Sequence, residues 1–297
     1  MTAAELQKHY DLPSVRFYED KGGFIFIEVK TPLAEALLTT HGGHIMRFTP
    51  AGEKPLLWMS EYSNFSAGKA IRGGIPVCWP WFGAHPTDAK KPAHGFARLS
   101  EWELDSAGES ADGTVHISMR LDSEHVSCSC GKPFALVITF TIGKTLTTRL
   151  TMWNNSDQPV EISTALHTYF FVGDIEKTTV SGLDGCLYDS RVVGAEENGL
   201  RQQGDVSFGM EVDRVYFNDG TVLIHDAAQN RRIRVEKSGS RTTVVWNPWI
   251  AKSRKMADFG DEEYHSMLCI EAANLLSDTI TVPPHSEHSL SQTIGVE

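Results

Sequence analysis

Alternation with a period of two residues constrains this chain more than any other feature. In "TVHISMRLD" (114–122), Val115, Ile117, Met119 and Leu121 share one face and His116, Ser118 and Arg120 the other. That is the pattern of a half-buried strand, not of a helix. "FALVITFTI" (134–142) and "TLTTRLTMW" (145–153) repeat it, joined by Gly143 and Lys144 as a Gly-X hairpin turn. Further strand-like runs are "GFIFIEVK", "VEISTALHTYFF", "TVLIHD", "RRIRVEK", "RTTVVWN", "SMLCIEAA", "DTITVPP" and "HSLSQTIGV". Helix signals are confined to a short segment near residues 2–9 and a turn or two within 254–265. Many short strands with turn residues between them predict an all-β, mainly antiparallel fold of two sheets. No linker, repeat or low-complexity stretch interrupts residues 1–297, so one domain is expected.

The net charge of −11 leaves no basic footprint for nucleic acid and disfavours an anionic membrane surface. It leaves a small anionic substrate open, because fields are screened beyond about 8 Å and a few local arginines can dominate. No window approaches the ~20 apolar residues of a membrane span, and the N-terminus has no basic segment followed by an apolar run. With an odd count of 5 cysteines, free thiols in a reducing cytoplasm are expected. Nothing in the sequence argues for more than a monomer.

Against this background "AIRGGIPVCWPWFGAHP" (70–86) stands out. Its glycines and prolines exclude a regular helix or a central strand, yet Ile71, Ile75, Val77, Cys78, Trp79, Trp81 and Phe82 are too apolar for a surface loop. Arg72 opens it, and "AHGFARLSEWEL" with His94 and Arg98 follows. A guanidinium fork suits a carboxylate or phosphate, so these three residues form a plausible anion pocket; singly, each arginine could be a surface ion pair. "HGGH" (41–44) reads as a turn between strands, not a metal pair, and "HVSCSCG" (125–131) as a loop without the further ligands a zinc site needs.

Two residues sit where polarity is expensive. His167, among Leu166, Tyr169, Phe170 and Phe171, is either a satisfied core histidine or a proton donor in an apolar cleft. Glu271 interrupts the apolar run Met267–Ala273 and must be paired or floor a cavity, where burial would raise its pKa toward that of a general base. Asp213 reads as a turn aspartate ahead of a strand, and Trp246, Pro248 and Trp249 as a stiff aromatic loop.

The motifs "IRGGIPVCWPWFG", "HGFAR", "TALHTYF", "DRVY", "WNPW" and "CIEA", in this order over roughly residues 15 to 295, resemble the hexose-6-phosphate mutarotases of the aldose 1-epimerase superfamily. The resemblance implies a galactose-mutarotase-like β-supersandwich with a cleft for a hexose 6-phosphate and no cofactor or metal. By motif position it implies His167 as catalytic acid, Glu271 as catalytic base, and Arg72, Arg98 and Asp213 as substrate-binding residues, with His94 beside them. The implied reaction interconverts the α and β anomers of glucose 6-phosphate: the carboxylate takes the C1 hydroxyl proton while the imidazolium protonates the ring oxygen. Two rivals read the residues differently: a glycosidase would pair Asp213 with Glu271 and leave His167 and the arginines without a role, and a non-catalytic sugar-phosphate binding module would not depend on Glu271.

Overall fold

The computed structural model describes residues 1–124, 126 and 132–297, so the cysteines of "HVSCSCG" lie outside the described residues. Two large antiparallel sheets dominate. One has nine strands in the order Val206–Ser207, Thr178–Ser181, Val222–Asp226, Arg231–Ser238, Ser286–Val296, Leu146–Asn154, Phe134–Ile142, Val115–Asp122, Glu103–Glu109. The other runs Glu197–Arg201, Leu187–Ser190, Val212–Phe217, Thr242–Asn247, Met267–Asn274, Thr164–Leu166, Val77–Cys78, with Tyr169–Phe171 also paired to Met267–Asn274. A four-stranded sheet from Val15–Glu19 to His44–Pro50 completes the larger assemblies.

The period-two faces appear as read. Val115, Ile117, Met119 and Leu121 are buried while His116 and Arg120 are exposed. Each such side chain contributes about 1.5–3 kcal/mol on leaving water. Ile142 pairs with Leu146, so the turn between these strands contains Gly143, Lys144 and Thr145 and is one residue longer than expected. The N-terminal helix is Ala3–Tyr10, closed at its start by a reciprocal Thr2–Glu5 capping box. Among the described residues no helix is long and apolar enough to cross a membrane.

Two strands break the alternating pattern. Thr242–Asn247 and Met267–Asn274 are buried at every position, as central strands covered on both faces must be. One continuous cluster of buried apolar side chains, from Ala3 to Ile294, draws on both large sheets. Gln292 of the nine-stranded sheet crosses to the other, its amide donating to the Ile270 carbonyl (2.9 Å) and its oxygen accepting from Thr168.

The expected single strand "VEISTALHTYFF" is instead three: Val160–Ile162, Thr164–Leu166 and Tyr169–Phe171. The break follows from the segment 70–86, which lies alongside and diverts main-chain bonds. The His167 amide donates to the Pro76 carbonyl (3.0 Å) and the Tyr169 amide to that of Gly74 (2.9 Å). Within the segment only Val77–Cys78 is strand, at the sheet's edge, where proline is tolerated. The peptide Trp79–Pro80 is cis. Trp79 bridges in parallel to Gly95, whose φ is +73° and whose added Cβ would lie 1.8 Å from the Trp79 carbonyl oxygen. Gly95→Ala should therefore cost more than about 3 kcal/mol in urea-induced unfolding, because backbone meets backbone and neither can yield.

Candidate active site

The site is assembled by register. Asp213 lies opposite Trp246, Trp246 opposite Cys269, and Cys269 opposite Tyr169, a row across four strands on one face of the eight-stranded sheet. Side chains two residues on share that face. Leu166 pairs with Ala272 and Tyr169 with Cys269, so the same register sets His167 opposite Glu271. Their side chains meet: His167 Nδ1 is 3.4 Å from Glu271 Oε1, and both residues are buried, 6% and 1% exposed. The approach is too poorly aligned for a hydrogen bond. His167 Nδ1 and Glu271 Oε2 are both buried without a hydrogen-bond partner, an expense that structural polar groups rarely incur.

Burial acts on the two groups in opposite directions. It pushes the Glu271 carboxyl well above the usual carboxylate range, helped by the charge of Asp213. It holds the His167 imidazole well below its usual value, helped by His94, Arg98 and Arg72. Burial therefore favours a neutral pair sharing one proton, Glu271 protonated and His167 not. The carboxylate and imidazolium expected for the reaction hold the same number of protons as this neutral pair, and only the position of one proton differs.

Aromatic rings hold His167 in place. Tyr169 stacks on it at 4.7 Å and 9°, Trp246 stands edge-on at 5.9 Å, and Phe82 lies at 6.4 Å. The His94 ring packs against it at 5.6 Å. His94 has φ +64°, uncommon for a non-glycine, and its Nδ1 accepts from the Gly83 amide, which leaves Nε2 to carry the proton.

The arginines differ in how they are used. Arg72 donates to both oxygens of Asp258 (3.0–3.2 Å) and to the Tyr169 hydroxyl (2.9 Å), so its fork is already occupied. Arg98 donates through Nη2 to the Ala93 carbonyl, while its buried Nε has no partner. Asp213 is no turn residue: it lies inside Val212–Phe217, its Oδ2 accepting from Lys252 (3.4 Å), which also pairs with Glu211 (3.0 Å). Burial raises the Asp213 carboxyl pKa. The "WNPW" loop divides into the end of one strand and the helix Trp249–Ser253, which brings Lys252 over the Trp246 ring at 5.7 Å.

Sequence reasoning missed Asp258 and Lys252. Asp258 has no local signal, being joined to Arg72 across 186 positions. Lys252 carried a faint one, three residues beyond Trp249 on a helical turn. "HGGH" is a turn as expected. Its histidines bond the Lys69 and Gly73 carbonyls, and burial lowers the His44 pKa to about 3.

Comparison with known proteins gives the chain's family and fold. The sequence profile of the family described as "Aldose 1-epimerase" matches residues 26–295. The chain belongs to that family of sugar epimerases, with a galactose-mutarotase-like β-sandwich fold. It is 40% identical over 271 residues to an Escherichia coli K12 protein named "Putative glucose-6-phosphate 1-epimerase", covering 91% of this chain and 90% of that one. A plant relative of the same name, from Cenchrus ciliaris, is 34% identical over 83% of this chain and 77% of its own. The crystal structure of a "putative mutarotase" from Salmonella typhimurium superposes with a TM-score of 0.88 at 32% identity, over 96% of this chain and 94% of that one.

The shared proton has a consequence for stability. In the unfolded chain the pair would hold two protons below about pH 4.3 and none above about 6.5. The folded pair keeps one, so its contribution is greatest between those values and declines by up to about 1.4 kcal/mol per pH unit on either side. Just above about pH 6.5, Glu271→Gln should flatten the alkaline decline in unfolding free energy, measured by denaturant titration at each pH.

Proposed function

We propose that this chain, acting as one domain, interconverts the α and β anomers of a hexose 6-phosphate, glucose 6-phosphate first, with Glu271 as base and His167 as acid. The single-domain reading is supported by the core that runs from Ala3 to Ile294. The catalytic reading rests on one observation above all: the buried, hydrogen-bond-deficient contact between His167 Nδ1 and Glu271 Oε1 at 3.4 Å.

That spacing suits the reaction. The C1 hydroxyl and the ring oxygen of a pyranose are bonded to the same carbon, so a donor and acceptor serving both must be close neighbours. Glu271 takes the hydroxyl proton as His167 delivers one to the ring oxygen, and the C1–ring-oxygen bond breaks to the aldehyde. Rotation about C1–C2 and reversal of both transfers close the other anomer. Burial favours the neutral pair, so the shared proton must first pass from Glu271 to His167 at the desolvation cost of the ionised pair. The two transfers together then return the pair to its neutral form as the ring opens.

The remaining residues would position the sugar. Asp213 would accept hydroxyl hydrogen bonds, and the His94 Nε2–H would donate one. Arg98, with a buried unpartnered Nε, is the better placed of the two arginines for phosphate; Arg72 would reach it only by exchanging Asp258 for it. The relatives' names support glucose 6-phosphate as substrate.

Exchange NMR at the anomeric protons tests this directly. Glucose 6-phosphate should anomerise far faster than the buffer reaction, and Glu271→Gln should lower kcat by about 10²–10⁴. Full activity in Glu271→Gln would overturn the catalytic assignment. Arg98→Ala should raise KM for glucose 6-phosphate while leaving any turnover of unphosphorylated glucose unchanged; equal loss for both sugars would overturn the phosphate role.

A further inference from the structure

Cys269 has no place in the proposed chemistry, yet it lies on the same face as Glu271 two residues away and is wholly buried. The ligand atoms of His167, Cys269 and Glu271 all lie within 4.8 Å of one another. We propose that these three side chains form a binding site for a thiophilic divalent cation, Zn²⁺ by preference, which inhibits the enzyme reversibly. The binding rests on the geometry alone; the inhibition rests on the proposed function.

Three observations carry it. First, one nitrogen, one sulfur and one carboxylate oxygen make a borderline-soft donor set, with a fourth position left for water or substrate. A thiolate excludes Mg²⁺ and Ca²⁺, which take oxygen ligands. Second, tetrahedral zinc at its usual bond lengths places ligand atoms roughly 3.4–3.6 Å apart. The His167–Glu271 contact already stands at 3.4 Å and all three ligand atoms lie within 4.8 Å, so a closing movement of roughly 1 Å reaches that spacing. Third, His167 Nδ1 is buried with unmet hydrogen-bonding capacity, which a cation would satisfy. A thiolate and a carboxylate together neutralise a divalent ion, so the occupied cluster would carry no net charge into the buried site. Binding displaces the thiol proton and the proton the pair shares to solvent, with no redox change. It also removes from proton transfer the two groups assigned to it.

Co²⁺ serves as the spectroscopic probe. Full-length protein stripped with EDTA and titrated with Co²⁺ in excess Mg²⁺ should develop a thiolate-to-cobalt charge-transfer band. Cys269→Ala should lose it and Cys78→Ala should keep it. Absence of the band in the natural protein, or its persistence in Cys269→Ala, overturns the site. If Cys269→Ala proves less folded by circular dichroism, Cys269→Ser takes its place, with the same outcomes. Zn²⁺ should slow anomerisation, EDTA should restore it, and the half-inhibiting concentration should rise at least about tenfold in the Cys269 variant. A cobalt band without zinc inhibition overturns the inhibitory role and leaves the binding site. A natural protein with the band but with no anomerisation even when metal-free overturns the proposed function instead.

Discussion

Everything at the candidate site depends on a carboxyl group held in a strand that water does not reach. Met267–Asn274 is covered on both faces, and Glu271 is the carboxyl group its sequence places there. A lone ionised carboxylate in that position would be prohibitively expensive, so the group is either protonated or matched by a cation. His167 makes both states available within 3.4 Å, by holding or releasing the same proton. The contact is thus a bistable proton position created by burial, unlike a surface ion pair, whose contribution would be small.

A chain of contacts keeps the imidazole where the proton is needed. Asp258 grips Arg72 with two oxygens, Arg72 donates to the Tyr169 hydroxyl, and Tyr169 lies flat on His167. Farther along the segment 70–86 that holds Arg72, Phe82 lies at 6.4 Å from the imidazole. Trp81 donates its indole N–H to the Pro92 carbonyl, and the Phe82 amide is bonded to Ser163. Pre-organisation of this kind removes the entropic cost of ordering side chains when a ligand arrives. Arg72, which reads from sequence as an anion holder, also acts as a strut between Asp258 and the Tyr169 hydroxyl.

Much of this was legible along the chain. Alternating faces in 114–122 and 134–142 identified strands because one side of each meets a core and the other meets water. Glu271 and His167 were conspicuous because polar residues in apolar runs are expensive. The order of motifs pointed to the aldose 1-epimerase family, to which the chain belongs. The extents of strands were less legible: the break around His167 depends on main-chain bonds to Gly74 and Pro76, far away in sequence. Asp213 looked like a turn residue because its cross-strand partner Trp246 is not a neighbour in the chain.

By itself the sequence determined the all-β character, the apolar stiffness of 70–86 and the identity of two ionisable residues placed at cost, since all of these follow from local pattern and composition. The tertiary structure alone decided that those two residues touch, that Asp258 occupies Arg72, that Lys252 neighbours Asp213, and that Cys269 stands beside the pair. These are facts of register and of long-range contact, and distance between strands has no signature in the order of residues along one of them.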